Sequence, residues 1–224
     1  DPNDSTAYLF NGQSMPMKSR EETIQVKDEE SVKMTVRSTH HGPIVNDVVD
    51  GLADAPATSM WWAFTAIDNS MLDVAYAFNT AKNIDDVRTA ASNIHAAGLN
   101  VMYGDKAGNI AWWASAKLPK RKTHVNSKLI LDGAGGDEYD GFLDFSENPQ
   151  SENPPWGYVY SANNQPDSIN SELYPGYYLP EDRGRRIIEL IEDQDKINVD
   201  YMKSMLNDDI NPTSLDLKEI LISE

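Results

Sequence analysis

A run of carboxamide side chains, Asn163-Asn164-Gln165-Pro166, is the feature of this sequence best suited to acyl-group chemistry. A side-chain amide held in a fixed position can donate a hydrogen bond to the oxyanion that forms during acyl transfer, an interaction worth about 3 kcal/mol. The same residue types also form ordinary turns, because Asn and Pro both favour chain reversal. Sequence physics alone favours the turn, and the oxyanion donor is the functional alternative.

Two adjacent imidazoles, His40 and His41, could bind a metal ion or transfer protons. They follow a strand-like segment and precede Gly42-Pro43. Neighbouring residues of a strand point to opposite faces of the sheet, so the two rings could not easily share one ion. We therefore expect a structural role, with one ring packed or hydrogen-bonded beneath the Gly-Pro turn.

Carboxylates are concentrated in a glycine-rich segment, which is the kind of oxygen cluster that calcium accepts. They lack the Asp-x-Asp-x-Asp-Gly spacing of a helix-loop-helix calcium site, so a solvated acidic loop is favoured. Aromatic residues nearby could stack on sugars or pack in a core. The loop from Asp132 to Trp156 therefore suggests an alternative function, a non-catalytic calcium- or carbohydrate-binding module. The carboxylates are Asp132, Asp137, Glu138, Asp140 and Asp144.

The overall composition excludes several classes of chemistry and partner. The chain has 224 residues and no cysteine, so a disulfide framework, a thiolate metal site and a cysteine nucleophile are excluded. Its formal net charge of −17 repels phosphate backbones and anionic membrane surfaces, which predicts no nucleic-acid and no membrane partner. No stretch reaches the roughly 18 consecutive apolar residues of a spanning helix. The first four residues, Asp1 to Asp4, lack a signal-peptide pattern.

The elements that must position these side chains are predicted to be strands first and helices last, in an α+β fold. Residues 1–116 should be mainly sheet with one helix. Val32, Met34 and Val36 alternate with polar residues, as in a strand with one buried face. Residues 59–66 and 72–78 are further strand candidates, because their apolar content suits a sheet covered on both faces.

The one helix predicted in this part begins after Asn83, which can cap it, and runs through Ile94 to a stop at Gly98. Residues 100–103 and 110–115 should form a hairpin. Its turn, residues 105–109, contains the Gly and Asn that a tight reversal needs.

The last part of the chain is predicted to be a long loop followed by helices. Residues 117–157 are polar and rich in Gly and Pro, which indicates an irregular connection. Residues 158–224 should contain a short strand over 158–161 and three helices, with Asn198 and Ser214 as caps. We predict a single fragment with these three parts.

Several segments, in this order and spacing, resemble the penicillin acylase family of N-terminal nucleophile hydrolases over nearly the whole chain. No one segment is decisive, but their order together is quite specific. The segments are His41-Gly42-Pro43-Ile44, Ala63-Phe64-Thr65-Ala66, Ala81-Lys82-Asn83, Gly108-Asn109-Ile110, Asp132-Gly133, Tyr139-Asp140-Gly141-Phe142-Leu143, Asn153-Pro154, Gly157-Tyr158, Asn163-Asn164-Gln165-Pro166 and Asp182-Arg183.

The resemblance implies an αββα sandwich made by autocatalytic cleavage of a precursor, whose terminal serine attacks an amide with its own α-amino group as base. Position 1 is Asp1, so we expect the nucleophile, the small subunit and the rest of the large subunit to lie outside this chain. The isolated chain should then be inactive. The implied substrate is a small N-acyl compound, such as a β-lactam or an acyl-homoserine lactone. No catalytic cofactor is implied, and relatives are usually periplasmic or secreted.

The resemblance also assigns roles to individual residues. Asn163 matches the asparagine whose amide completes the oxyanion hole, and Arg183 matches the arginine that orients that asparagine and the amine end. Phe64 and Leu99 fall where the family lines its acyl pocket. Glu172 falls where relatives have an aspartate in a structural calcium site, so calcium is a possible structural ligand.

Overall fold

The computed structural model describes residues 1–166 and 173–222, and its contacts divide the chain into two interleaved units. The first unit contains residues 1–71, 94–97 and 116–143. The second contains residues 72–93, 98–115 and 144–224. The carboxamide run therefore belongs to the second unit and the two histidines to the first. Across the described residues, no helix is long and apolar enough to cross a bilayer.

The first unit is built from two small antiparallel sheets. Strands β1 (Ala7–Phe10) and β2 (Gln13–Pro16) form a hairpin. Strands β3 (Lys18–Ile24), β4 (Val32–Thr39) and β5 (Gly42–Pro43) form the other sheet in that order. The predicted alternation in β4 is confirmed in its middle: Met34 and Val36 are partly buried while Lys33 and Thr35 are exposed.

The second unit contains a three-stranded antiparallel sheet packed against a helix. Its strands are β6 (Leu99–Gly104), β7 (Ile110–Ser115) and β8 (Gln150–Glu152), in that order. The core consists of the fully buried Ala91, Ala111 and Trp113. Partly buried side chains surround them, and these are Phe78, Ile84, Val87, Val101, Tyr103 and Phe145.

Local sequence signals explain the elements that position this sheet. Helix α3 (Ile84–Ser92) begins where the Asn83 side chain accepts a hydrogen bond from Asp86 N at 3.0 Å, so its predicted cap is confirmed. The predicted hairpin is also confirmed, with Gly104 opposite Ile110. Asp105 closes the turn. Its carboxylate accepts several hydrogen bonds, of which the one from the Asn109 side chain has the largest effect, and they lower the pKa of the carboxyl to about 2.

Three helices follow the irregular segment, as predicted. They are α4 (Asp182–Glu192), α5 (Val199–Met205) and α6 (Pro212–Ile222). Asn198 caps α5, where its side chain accepts a hydrogen bond from Tyr201 N at 2.9 Å. The Ser214 cap prediction is wrong: α6 begins at Pro212, and Asn211 Oδ1 accepts from Ser214 N at 3.3 Å. Proline at the first helical position needs no donor, which lets the helix start earlier.

Two apolar segments predicted as strands are helical. Residues 63–66 form the short helix α1 (Ala63–Ala66), and residues 71–80 form α2 (Met71–Thr80). Their apolar content was interpreted as a strand covered on both faces, but α1 contains no buried residue and α2 only Val74. A short apolar run does not distinguish a strand from a helix. Residues 1–116 therefore contain three α-helices, α1 to α3, and a short 3-10 helix over Asp50–Leu52, where one helix was predicted.

Two strand boundaries also differ from the prediction. Residues 158–161 form no strand, because they pair with no other described segment in a β-ladder. Instead β8 lies inside the segment predicted as a loop, where Trp113 of β7 pairs with Gln150. Three residues are too few for an alternating pattern to be visible in the sequence.

Glu152 at the end of β8 carries a charged hydrogen-bond network beside the core. It accepts from Arg88 Nε at 2.5 Å, from Arg88 Nη2 at 2.6 Å and from Trp113 Nε1 at 2.8 Å. The hydrogen bonds from Arg88 hold the pKa of Glu152 below its ordinary value of 4.5, against the opposing effect of burial. Glu152 is therefore ionised in the folded protein, and its carboxylate connects Arg88 of α3 to the sheet.

We expect Glu152→Gln to lower the free energy of unfolding by about 1 kcal/mol at neutral pH, because it removes the charge from these hydrogen bonds. The depressed pKa in the folded protein means that the carboxylate stabilises it above the unfolded pKa, and that this contribution disappears as the pH falls through the folded pKa. Urea unfolding of both proteins at neutral pH and well below pH 4.5 measures the difference.

Asp85→Asn is the matched control for this prediction. Asp85 also binds Arg88, at 2.6 Å, but its side chain is 75% exposed, and exposed ion pairs contribute little. A loss at Glu152 that is no larger than the loss at Asp85, or that persists unchanged in acid, would contradict the proposed role of the Glu152 carboxylate.

Candidate functional site

The site is organised around Asn163, in the irregular segment just before residue 167. Leu179 N donates a hydrogen bond to Asn163 O at 2.9 Å, and Asn164 forms an isolated parallel bridge with Leu179. Asn163 is thus held beside a single bridge, and the strand predicted over residues 158–161 before it is absent. The residue is exposed, so the carboxamide is not buried among packed side chains.

The backbone of Asn163 has a left-handed conformation, with φ of 61°. Such a conformation is uncommon for residues other than glycine, although Asn tolerates it better than most. Sparsely populated backbone conformations persist where the surroundings determine them, and they cluster at functional sites. Asn11 and Asn153 also have left-handed backbones, with φ of 48° and 45°, so the conformation indicates a chain reversal at Asn163 and does not by itself mark a functional site.

Arg183, in the first turn of α4, fixes the orientation of the Asn163 side chain. Its Nη2 donates to Asn163 Oδ1 at 2.9 Å and also to Ala162 O. A guanidinium has only donors, so the amide atom that faces it must be the oxygen. The Nδ2 group must then point elsewhere, and no other described residue accepts a hydrogen bond from it. The predicted pair of Asn163 and Arg183 is brought together.

Close packing supports this arrangement from beneath. Ala162 is 3% exposed, and its N–H donates to Asn164 Oδ1 at 3.2 Å. Gly184, which follows Arg183 on α4, is buried. A Cβ at Gly184 would lie 3.4 Å from the side chains of Asn164 and Tyr160, so the first turn of α4 lies close to the segment that carries Asn163.

The other arginines of α4 bind carboxylates instead. Arg185 Nη1 donates to Asp216 at 2.7 Å, and Arg186 binds Asp208 through two hydrogen bonds of 2.7 and 2.8 Å. The hydrogen bonds from Arg186 lower the pKa of Asp208. Both acidic partners follow α4 in the sequence and could not be paired with it from spacing alone. Arg183 differs from its neighbours because its two acceptors are a carbonyl and a carboxamide oxygen.

A cavity of about 230 Å³ opens in the same unit, next to this segment. Its wall includes Trp112 of β7, the rings of Tyr158 and Tyr160, and Asn164. Asn163 itself does not line it, although its neighbours Ser161 and Asn164 do. Aromatic walls with a few polar groups suit a small, partly apolar ligand. The sequence prediction missed this cavity, because its residues come from separate segments.

The other predicted site residues do not contribute to the arrangement around Asn163. Phe64 lies on α1 in the first unit and is 54% exposed; Leu99 begins β6 in the second unit and is 47% exposed. Neither lines the cavity described above. Their role in an acyl pocket remains a prediction. Glu172 lies outside the described residues, so the calcium site also remains a prediction.

The two adjacent histidines of the first unit are not strand neighbours, and the prediction that their rings diverge is wrong. His40 and His41 form the turn between β4 and β5, where backbone direction reverses and side chains need not alternate. Their ring centroids lie 3.8 Å apart. Both rings face Glu138: His41 Nε2 contacts Oε1 directly, and His40 Nε2 lies 3.7 Å from it.

Carboxylates of the acidic loop are engaged in local hydrogen bonds. Asp132 Oδ1 accepts from Ala134 N at 2.9 Å, and Asp137 Oδ2 accepts from Asp132 N at 2.8 Å. These bonds are typical of turns in which a carboxylate caps nearby N–H groups. The calcium- or carbohydrate-binding alternative is not tested by this geometry and remains a hypothesis.

Comparison with known proteins identifies relatives of one kind. Residues 1–223 match the family model described as penicillin amidase. The chain is 32% identical over 195 residues to penicillin G acylase of Escherichia coli, covering 86% of this chain and 23% of that protein. It is 28% identical over 191 residues to acyl-homoserine lactone acylase QuiP of Pseudomonas fluorescens, covering 83% and 23%. The chain thus spans about a quarter of the length of these relatives.

A solved structure confirms the fold class. Thermostable penicillin G acylase from Alcaligenes faecalis matches with a TM-score of 0.74 and 26% sequence identity, over 92% of this chain and 36% of that chain. The predicted α+β fold of an N-terminal nucleophile hydrolase agrees with this match, although α1 to α3 lie among the strands and not in the last third of the chain.

Proposed function

Since this chain belongs to the penicillin amidase family, we propose that it is part of an acylase that hydrolyses the amide bond of small N-acyl compounds. In this proposal the chain supplies the oxyanion donor Asn163 and its positioning residue Arg183. The serine nucleophile is supplied by polypeptide outside this chain, which spans about a quarter of its curated relatives.

The observation that carries the proposal is the hydrogen bond from Arg183 Nη2 to Asn163 Oδ1, at 2.9 Å. It aligns the carboxamide so that its N–H groups are directed away from the arginine. A donor fixed before the reaction costs no reorganisation when charge develops, which is why such donors accelerate acyl transfer. The left-handed backbone of Asn163 is the local cost of that orientation.

In the proposed reaction a serine hydroxyl attacks the amide carbon of the substrate, and its proton passes to the α-amino group of the same residue. The carbonyl π electrons move to oxygen, and Asn163 Nδ2 donates a hydrogen bond to that oxyanion. Collapse of the intermediate breaks the C–N bond, and the amine leaves with the proton. Water then hydrolyses the acyl-enzyme by the same steps and releases the acid.

The remaining features of the proposal follow from the same family membership. The substrate class is an N-acyl compound such as a β-lactam or an acyl-homoserine lactone, as the names of the relatives suggest. The partners are the small subunit and the remainder of the large subunit, with no nucleic acid and no membrane. The location is periplasmic or secreted. No cofactor takes part in catalysis, and calcium would have a structural role.

The direct test compares the full-length protein with the isolated 224-residue chain. We expect the full-length protein to release amine from penicillin G or from an acyl-homoserine lactone, and the isolated chain to release none. Amine release detected with a fluorogenic reagent measures both. Full-length protein that is folded but hydrolyses neither acyl class would contradict the proposed function. Turnover by the isolated chain would contradict the assignment of the nucleophile to another segment.

A further inference from the structure

The cluster of His40, His41 and Glu138 has the composition of a transition-metal site. Each of the three side chains offers one ligand atom, and these atoms all lie within 4.8 Å of one another. None of the three takes part in the proposed acyl transfer. We propose that this cluster binds a divalent cation of the zinc class.

The donor atoms select the kind of ion. Two imidazole nitrogens and one carboxylate oxygen suit zinc and its neighbours, whereas calcium and magnesium prefer oxygen ligands alone. Zinc bonds of about 2.0 to 2.2 Å place tetrahedral ligands roughly 3.4 Å apart. His40 Nε2 and Glu138 Oε1, at 3.7 Å, are already close to that spacing, whereas His41 Nε2 contacts the same oxygen and would move away from it on binding. Three protein ligands leave a fourth position for water or another small ligand.

Tyr8 orients one of the ligands from behind. Its hydroxyl group lies 2.9 Å from His40 Nδ1 and also accepts from His40 N at 3.3 Å. When Nδ1 carries the proton and donates it to the tyrosine oxygen, the lone pair is on Nε2, which faces Glu138. Metal-binding histidines usually have such a partner on the other ring nitrogen, and it fixes both tautomer and ring direction.

The surroundings of the cluster give an ion access. His41 and Glu138 line a cavity of about 400 Å³ in the first unit, and Asp132 and Asp137 line it as well. The three carboxylates of the lining outnumber its one arginine, Arg121, and so attract cations to the opening. The ligands come from the β4–β5 turn and from the segment over 116–143, so a bound ion would connect two segments that are distant in the sequence.

The test measures zinc affinity of the full-length protein after chelator treatment, by competition with a chromogenic zinc indicator. We expect His40→Gln, His41→Gln and Glu138→Gln each to weaken zinc binding at this site at least about tenfold. Cobalt in place of zinc should give a visible absorption band that the same substitutions remove. His95→Gln is the matched control, because its Nδ1 contacts Asp68 O at 2.7 Å outside the cluster.

Two of the variants keep the result interpretable if another ligand substitution disturbs folding. His40 is the more exposed of the two rings, and Tyr8→Phe removes only a hydroxyl group and its two contacts with His40, so His40→Gln and Tyr8→Phe should retain the parent circular dichroism spectrum. We expect Tyr8→Phe to weaken zinc binding about tenfold. The proposal is overturned if the parent binds no zinc at about 100 μM, or if a His40→Gln/His41→Gln double variant binds it as the parent does.

Discussion

Replacement of Asn163 by glycine in the full-length protein is expected to lower kcat/KM for N-acyl substrates about a hundredfold or more. The substitution removes the carboxamide that would donate to the oxyanion, and loss of one such donor costs about 3 kcal/mol in the transition state. Because the donor acts on charge that develops during the reaction, most of the loss should be in kcat and little in KM. Steady-state kinetics on one amide substrate measures both.

Glycine is chosen because it separates the side chain from the backbone. Asn163 has φ of 61°, which glycine adopts freely and alanine does not. We therefore expect Asn163→Ala to lose the same activity as the glycine variant and also to lose some stability in thermal unfolding. A glycine variant that retains activity within a few-fold of the parent would show that the oxyanion role is wrong.

Replacement of Arg183 by methionine should lower kcat about thirtyfold, because the Asn163 carboxamide loses the charged donor that fixes its direction. Methionine keeps much of the apolar length of the side chain but donates no hydrogen bond. Arg185→Met is the matched control on the same helix. Arg185 binds the exposed Asp216, so its loss should leave kcat nearly unchanged.

A double-mutant cycle distinguishes positioning from general destabilisation. If Arg183 acts through Asn163, the methionine substitution should cost little further kcat once Asn163 is glycine. Additive losses in the two variants would instead mean that Arg183 acts independently of the carboxamide. Circular dichroism of each variant separates these results from unfolding.

Local signals allowed correct prediction of the elements that they determine. Asn83 and Asn198 cap helices because a side-chain oxygen can satisfy an unpaired N–H, and this depends on a few neighbouring residues. The turn at Asp105 is likewise local. Helix α2 was missed because its apolar residues were interpreted as a strand covered on both faces, although only Val74 is buried. Strand β8 was missed because three residues leave no period and its pairing depends on a distant segment.

The candidate site divides in the same way. Asn163 and Arg183 were identified through resemblance to a family, since composition and spacing alone favoured a turn. Their hydrogen bond joins residues that are 20 apart in the chain. The meeting of His40 and His41 with Glu138, 97 positions from His41, could not be foreseen either. A strand was assumed where the chain makes a turn, and that assumption set the side-chain directions.

Each of the two units is made of three separate segments of the sequence, and this constrains the order in which they can fold during synthesis. The chain passes between them at residues 71/72, 93/94, 97/98, 115/116 and 143/144. A ribosome makes the chain from its amino end, so β1 to β5 must wait for residues 116–143 to emerge before their unit is complete. Meanwhile part of the other unit is already outside the ribosomal tunnel. This arrangement favours slow folding, in which the long-range contacts form after most of the chain has been translated.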